Sequence, residues 1–205
     1  MNENAIVHVI DDDESLRGAV SGLLASVGIH ARTYGTVREF MDAGLQGAPG
    51  CIILDVRLPG VSGLDFQTQL AGLGILLPVI LVTGHGDIPM SVRAMKAGAV
   101  DFLEKPFRDQ EMIDAVSTAI QRHRYMRTAN EDAERVRAKF ATLTPREKQV
   151  MLLVTTGKMN KQVAGELSLS EITVKIHRGS AMRKMGARSL ADLVRMADTL
   201  APSAP

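Results

Sequence analysis

The sequence contains no tryptophan, few other aromatic residues, one cysteine and no long apolar run. Aromatic residues make up 3% of the 205 residues, so aliphatic side chains and the 11 methionines have to fill any core. One cysteine excludes a disulfide within the chain, and the first residues carry neither the basic nor the apolar segment of a signal peptide, which favours a cytoplasmic protein. The most apolar stretch, residues 73–82, is interrupted by Pro78 and is too short to span a bilayer, so we expect no membrane association.

A strong overall charge is also absent, but the two ends of the chain differ in sign. The formal net charge is +1. Residues 1–124 contain 10 Lys and Arg against 15 Asp and Glu, whereas residues 144–205 contain 10 against 5. This asymmetry indicates two domains with different partners. The basic end suits a polyanion such as nucleic acid, although an excess of this size also occurs as ordinary surface variation.

In the first part of the chain, short apolar segments alternate with amphipathic ones. Strand character is found in residues 6–10, 31–34, 51–54, 79–82 and 100–103, and helical spacing in residues 16–27, 37–43, 64–70, 90–97 and from residue 109 onward. Near-continuous apolar strands separated by helices are typical of a parallel sheet that is covered on both faces. We therefore predict an α/β domain with a doubly wound, five-stranded parallel sheet and a site beyond the carboxyl ends of its strands.

The last part of the chain has helix signals and no strand signal, which predicts a second, smaller all-α domain. Residues 121–141 are polar, charged and free of Pro and Gly, and fit either a long connecting helix or a frayed linker. The capping box Thr144-Pro145-Arg146-Glu147 predicts a helix that ends at Gly157. Further helices are predicted over residues 161–167, 171–185 and 190–200, with Asn160, Ser170 and Ser189 as N-caps, and residues 201–205 are expected to be disordered.

Chemically active side chains collect at the predicted carboxyl ends of the strands. Asp11 and Asp12 follow the first strand, Asp55 the third, Thr83 the fourth and Lys105 the last. Clustered carboxylates suit Mg²⁺, and a carboxylate can also be the nucleophile that forms an aspartyl phosphate. An ammonium and a hydroxyl group can hold the remaining phosphoryl oxygens. Each residue alone is common on solvated loops, and only the combination indicates phosphoryl chemistry.

These segments resemble the receiver domain of response regulators over about residues 5–122. The resemblance rests on Val9-Ile10-Asp11-Asp12-Asp13, Leu54-Asp55-Val56-Arg57-Leu58-Pro59-Gly60-Val61-Ser62-Gly63, Val82-Thr83-Gly84 and Phe102-Leu103-Glu104-Lys105-Pro106-Phe107. It implies a flavodoxin-like receiver domain over residues 1–122.

The resemblance also implies a role for each matching position. Asp55 is the expected phosphoacceptor, with Thr83 and Lys105 as its catalytic partners that bind the phosphoryl group. The expected Mg²⁺ ligands are Asp12, Asp55 and the backbone carbonyl of Arg57, with Asp11 assisting through water. Thr83 and Phe102 are the expected switch residues, and the Lys105–Pro106 bond is expected to be cis.

Three further residues near this site have less definite roles. Arg57 and His85 stand two residues beyond the acceptor and two beyond the threonine, at positions that vary in this family. Their side chains can crowd or orient the hydrolytic water, so we hypothesise that they set the lifetime of the phosphoryl group; a loop histidine without a role is the alternative for His85. We interpret Asp13 as a solvated loop acid.

Residues 140–199 resemble the LuxR-type helix-turn-helix. The matching segments are residues 143–150 (LTPREKQV), 157–164 (GKMNKQVA) and 173–178 (TVKIHR). On the second helix of the motif, the outward residues, which include Arg183 and Lys184, are basic, as DNA contacts require.

The second resemblance likewise implies positions that contact DNA or a second subunit. Lys175, Ile176 and Gly179 are expected to face base edges, Thr173, His177, Arg178 and Lys161 to lie near phosphates, and Leu193, Met196 and Ala197 to contact a second DNA-bound subunit. His177 and the three dimer candidates are also compatible with core positions. Gly179 departs from the larger residue that is commoner there, which puts base reading at this position in doubt.

A receiver followed by this output domain defines the NarL/FixJ family, and residues 83–99 look closest to its FixJ-type branch. The resemblance implies a two-component response regulator. In the expected mechanism, a sensor histidine kinase phosphorylates Asp55, and the receivers then dimerise near Met90 and Val100. Residues 143–200, which follow a helical linker over residues 123–142, bind promoter DNA and activate transcription by RNA polymerase.

No enzymatic activity is expected beyond the receiver's own phosphoryl transfer and dephosphorylation. The alternatives are a phosphorylation-independent DNA-binding regulator and a metal-dependent phosphohydrolase, for which we find no separate substrate pocket or general acid.

Overall fold

The computed structural model describes residues 5–45 and 47–200, which form two compact units divided between Arg127 and Thr128. The predicted disordered tail, residues 201–205, lies outside the described residues. No helix in the described ranges is both long enough and apolar enough to cross a membrane.

The first unit is built on a five-stranded parallel sheet. Its strands are β1 (Ile6–Ile10), β2 (His30–Tyr34), β3 (Gly50–Asp55), β6 (Val79–Thr83) and β7 (Asp101–Glu104), in the order β2-β1-β3-β6-β7. From β1 the chain adds β2 on one side and then β3, β6 and β7 on the other. The connections therefore leave in opposite directions between β1 and β3, and a crevice opens at the carboxyl ends of these two strands. The predicted doubly wound sheet is therefore confirmed. A short hairpin of β4 (Arg57–Leu58) and β5 (Val61–Ser62), which the sequence does not predict, follows β3 and turns at Gly60 with a φ of 78°.

Helices cover both faces of this sheet because its strands are apolar on both sides. They are α1 (Glu14–Ser26), α2 (Val37–Asp42), α3 (Gly63–Leu70), α4 (Ile88–Lys96) and α5 (Asp109–Ala141). Val9 and Ile53 point into one buried cluster, whereas their neighbours Ile10 and Leu54 point into another on the opposite face. Asp13 is exposed, in agreement with its interpretation as a solvated loop acid, and is in addition the N-cap of α1, where it accepts hydrogen bonds from two backbone amides.

The linker question that the sequence leaves open is answered by α5, which is one helix of 33 residues. Met112, Val116 and Ile120 are buried in the first unit. Val136 and Phe140, near the other end of the helix, pack against the core of the second unit. The polar stretch between these apolar residues is therefore helical and not frayed.

The second unit is all-α and consists of the end of α5 with α6 (Pro145–Thr155), α7 (Asn160–Leu167), α8 (Glu171–Met185) and α9 (Leu190–Leu200). The predicted capping box is present, since Thr144 and Glu147 each bind the other's backbone amide. The prediction that Asn160 caps α7 is wrong. Met159 is the N-cap. Its backbone amide donates a hydrogen bond to Oε1 of the Gln162 side chain at 2.8 Å. Between α7 and α8, Ser168 adopts a left-handed conformation with a φ of 53°.

Leu193 is fully buried in the core of this unit. The prediction that its side chain contacts a second subunit is therefore wrong, because no surface is left to offer. Met196 and Ala197 are half-buried against the same core, and their contact with a partner stays a prediction.

Candidate functional site: an acidic cluster and a helix-turn-helix

The structure brings three carboxylates together at the carboxyl ends of β1 and β3. One carboxylate oxygen from each of Asp11, Asp12 and Asp55 lies within 4.8 Å of the others. The two strands are direct neighbours in the sheet, which explains why residues 44 positions apart in the chain meet. Asp11 and Asp55 are buried, with 1% and 6% of their surface exposed, whereas Asp12 is exposed. Three hard oxygen ligands around one point, one of them open to solvent, are a donor set that fits a hydrated divalent cation.

Lys105 supplies the positive charge of this cluster. Its Nζ lies 2.6 Å from Oδ2 of Asp11 and 3.5 Å from Oδ1 of Asp55. Lys105 follows β7, and its backbone amide donates to the carbonyl of Thr83, which holds it beside the end of β6. The peptide bond between Lys105 and Pro106 is cis, as the resemblance implies. The ammonium group therefore stands between two carboxylates and within reach of any group bound to Asp55.

The environment of Asp55 raises its pKa above the ordinary value. Burial is the largest cause, and the nearby Asp11 carboxylate acts in the same direction. The Lys105 ammonium and the backbone amide of Arg57 oppose the shift. A carboxylate deprived of water in this way is stabilised by a bound cation and is a better nucleophile than a solvated one.

Thr83 and Phe102 lie next to this cluster and are linked by one glycine. Thr83 is fully buried, and its Oγ1 accepts a hydrogen bond from the backbone amide of His85 at 3.3 Å. A Cβ on Gly86 would lie 3.1 Å from the Phe102 ring and 3.4 Å from Cγ2 of Thr83. Phe102 is half-buried, and the side chains of Arg57 and His85 are exposed. Gly86 therefore lies near both side chains, and a larger residue there would require one of them to shift.

Two supporting residues of the cluster were missed from the sequence. Arg17 donates from Nη1 to the backbone carbonyl of Asp11 at 2.7 Å. Gly63 begins α3 so close to β3 that a Cβ would lie 2.1 Å from the carbonyl oxygen of Asp55. Gly63 belongs to the motif after Asp55, so the sequence contained a signal for a glycine that packs closely against the backbone. No sequence signal marked Arg17 on α1 as a partner of the cluster.

In the second unit, α7 and α8 form a helix-turn-helix with a partly basic outer surface. Lys161, Lys175, Ile176 and Gly179 are exposed, and Thr173, His177 and Arg178 are half-buried. Ile176 has 64% of its surface exposed, and Ile172 on the same helix has 74%.

Two polar links across the helices of the second unit were not predicted. Nη1 of Arg178 donates to the Asn160 side chain at 3.4 Å and connects α8 to α7. Glu147, only 5% exposed, accepts from Ser180 Oγ at 2.6 Å and from Lys184 Nζ at 2.7 Å. Lys184 is exposed, as predicted, but its ammonium is bound to Glu147 on α6.

Comparison with known proteins gives a family match for each of the two parts of the chain. The family model described as response regulator receiver domain matches residues 7–117, and the model described as bacterial regulatory proteins, luxR family, matches residues 141–197. These matches define a response regulator with a receiver and a LuxR-type DNA-binding domain. Such a protein has a kinase partner and a DNA target and serves in transcription regulation.

Relatives that match over nearly their full length identify the family within the response regulators. Nodulation protein W of Bradyrhizobium diazoefficiens is 57% identical over 200 residues, which are 98% of this chain and 88% of that protein. Transcriptional regulatory protein FixJ of Azorhizobium caulinodans is 43% identical over 197 residues, 96% of this chain and 93% of that one. The low-resolution structure of the response regulator StyR matches with a TM-score of 0.81 and 43% identity over 95% of this chain and 98% of that one. The chain belongs to the NarL/FixJ family of response regulators.

Proposed function

We propose that the protein is a phosphorylation-controlled transcriptional activator whose acceptor is Asp55. A sensor histidine kinase supplies the phosphoryl group, and the reaction and the regulated promoter are both in the cytoplasm. The observation that carries the proposal is the position of Lys105, which lies 2.6 Å from Asp11 and 3.5 Å from Asp55 in a largely buried acidic cluster. An ion pair that served only to stabilise the fold would need one carboxylate and one lysine. The presence of three carboxylates with Lys105 in one crevice therefore favours a functional site.

Each residue of the cluster has a part in this proposal. Asp11, Asp12, Asp55 and the carbonyl of Arg57 would hold Mg²⁺, which offsets charge on the incoming phosphoryl group. Asp55 is the nucleophile, and its partial burial keeps bulk water away from the acyl phosphate. Lys105 would exchange its contact with Asp55 for one with a phosphoryl oxygen. The Thr83 hydroxyl would donate to another oxygen.

The signal then passes from Asp55 to the output domain. When Thr83 moves towards the phosphoryl group, Phe102 would follow, and the position of Gly86 near both side chains supports this coupling. The receiver shifts its population towards a form that dimerises near Met90 and Val100. Two helix-turn-helix domains then bind promoter DNA together and recruit RNA polymerase. Lys175, Ile176 and Gly179 face the bases, Thr173, His177, Arg178 and Lys161 lie near phosphates, and Met196 and Ala197 contact the second subunit.

The proposal is tested with beryllofluoride, which stands in for the phosphoryl group on Asp55. Sedimentation and DNA binding of the full chain are compared with and without beryllofluoride and Mg²⁺, for the wild type and for Asp55→Asn. We expect the wild type to dimerise and to bind DNA at least tenfold more tightly, and the variant to do neither. If both proteins respond alike, Asp55 is not the switch, and the protein is a phosphorylation-independent DNA-binding regulator.

A further inference from the structure

Two exposed isoleucines stand one turn apart on α8, the second helix of the helix-turn-helix. Ile172 and Ile176 have 74% and 64% of their surface exposed, and neither is part of the core of the second unit. Their spacing of four residues places the two side chains on the same face of the helix. The fold gains little from either side chain, because an isoleucine stabilises a protein through the apolar surface that it buries.

The two isoleucines belong to one exposed stripe along α8. The stripe consists of Ile172, Lys175, Ile176, Gly179 and Arg183, all of which are exposed. Counted from the first residue, the others follow after three, four, seven and eleven positions, which is the spacing of a single helix face. The stripe contains the three residues that the proposed function places against the bases. Ile172 extends this base-reading surface by one turn towards the amino end of the helix.

The charges along the stripe indicate a polyanionic partner. Lys175 and Arg183 form no ion pair with any other residue in the part of the chain that the structure describes. Glu171 is the only acidic residue of α8, and it points about 100° away from Ile172 around the helix axis. Apolar side chains beside free cations fit the major groove of DNA, where thymine presents a C5-methyl group between the two phosphate backbones. An apolar protein surface would instead bury these cations without a partner.

Isoleucine suits a contact with a methyl group because its side chain is stiff. A β-branched residue in a helix has one strongly preferred χ1 rotamer, so its methyl groups are already oriented before the partner binds. Little rotamer freedom is then lost on binding. Side chains on a helix lean towards its amino end, and Gly179 has none that could lean over Ile176. Both isoleucines are therefore accessible to DNA.

We propose that Ile172 is a second apolar base-reading residue, which contacts the C5-methyl group of a thymine beside the base pairs that Lys175 and Ile176 contact. The inference rests on the proposed placement of α8 in the major groove, but it does not depend on phosphorylation of Asp55. One helical turn advances about 5.4 Å and base pairs are about 3.4 Å apart, so Ile172 reaches one or two base pairs beyond Ile176. Loss of one methyl group from this contact should weaken binding about fourfold.

The test measures binding of the full chain to DNA sites that the wild type selects from a pool of random duplexes. Each thymine of a selected site is replaced in turn by deoxyuridine, which lacks only the methyl group. We expect one replacement to weaken binding of the wild type about fourfold and to leave the affinity of Ile172→Ala unchanged. In Ile176→Ala, the same replacement should still weaken binding. The control is Leu152→Ala, an exposed apolar position on α6, which should respond to every replacement as the wild type does.

The outcomes separate this inference from the proposed function. If the same sites are selected equally well with and without beryllofluoride and Mg²⁺, the phosphorylation switch fails and the role of Ile172 is still tested by the replacements. The inference is overturned if the wild type binds thymine and deoxyuridine equally at every position, or if Ile172→Ala loses as much affinity as the wild type at each replacement. Wild-type affinity of Ile172→Ala for the selected sites would also overturn it, and would leave Ile172 to an apolar protein partner.

Discussion

At the scale of single residues, His8 is the clearest case of a group whose protonation the fold controls. It is 2% exposed in the middle of β1, and its Nδ1 lies 3.1 Å from the Tyr34 hydroxyl, with the Tyr34 and Phe40 rings packed against it. Burial, assisted by the charge of Arg32, lowers its pKa from 6.5 to about 4. The folded receiver therefore holds His8 neutral, whereas the unfolded chain protonates it below pH 6.5.

We expect this histidine to destabilise the first unit in acid. The folded state binds the proton less well, so stability is complete above pH 6.5 and falls as the pH decreases towards 4. The loss attributable to His8 is about 3 kcal/mol. It is measured by urea unfolding at several pH values, and the pH dependence should be weaker in His8→Phe. His30→Gln, at an exposed position on β2, is the control; an unchanged slope in His8→Phe would contradict the assignment.

Arg57 and His85 carry the second prediction at this scale. Both side chains are exposed beside the acidic cluster, which leaves them free to order or exclude water near an acyl phosphate. We expect Arg57→Ala and His85→Ala to change the dephosphorylation rate of the receiver several-fold, measured as loss of phosphate after treatment with a small phosphodonor. Dephosphorylation at the wild-type rate in both variants would rule the hypothesis out. Arg38→Ala, on exposed α2, provides the control.

At the scale of elements, Glu147 joins two helices of the DNA-binding unit. The same carboxylate completes the capping box of α6 and accepts from Ser180 and Lys184 on α8. These hydrogen bonds, first that from Lys184, lower its pKa from 4.5 to about 2. The stability that they provide is present above pH 4.5 and is lost as the pH falls towards 2, because protonation of Glu147 breaks the ion pair.

Removing the cation of this pair should loosen the second unit. We expect Lys184→Met to lower its free energy of unfolding by about 1–3 kcal/mol, since Glu147 stays buried with one partner fewer. The acid unfolding of this unit should also move to higher pH. Hydrogen exchange of the α6 amides measures both effects. Arg183→Met removes a neighbouring exposed charge on α8 and should change neither; the same loss in both variants would mean that the ion pair is not its cause.

At the scale of the whole molecule, the unequal charge of its two ends bears on DNA binding. The near-zero net charge conceals a basic helix-turn-helix end, and only the basic residues without an acidic partner are available to phosphates. Lys161 is exposed with no ion pair to another described residue, whereas Lys158 is paired with Glu166. A comparison of these two lysines therefore shows how an unpaired and a paired positive charge differ in their effect on DNA binding.

We expect Lys161→Gln to weaken DNA binding similarly on all sequences. Loss of one phosphate contact per bound domain should reduce the slope of log affinity against log salt by about 0.9 for each domain. Lys158→Gln is the matched control and should change the slope less. Binding is followed by fluorescence anisotropy over a range of salt concentrations, and equal slopes for the wild type and Lys161→Gln would exclude Lys161 as a phosphate contact.

Much of this molecule follows from the sequence, because local signals and the global fold agree. Alternating apolar segments predict the parallel sheet, since a strand buried on both faces has to be apolar throughout. The order of the acidic and basic residues along the chain predicts which strand ends carry them. Thr144 and Glu147 predict a helix start, because capping involves residues three apart. The linker is the exception, since a polar stretch such as residues 121–141 has no apolar periodicity to separate helix from coil.

What the tertiary structure alone decided are the contacts between residues far apart in the chain. No local pattern marks Glu147 as the partner of Lys184, Leu193 as a core residue or Gln67 as a buried amide with a free carbonyl. A helical periodicity states that a residue faces inward or outward, but it does not state which other helix lies opposite. That choice depends on how the helices pack, and packing sums many weak contacts over the whole domain.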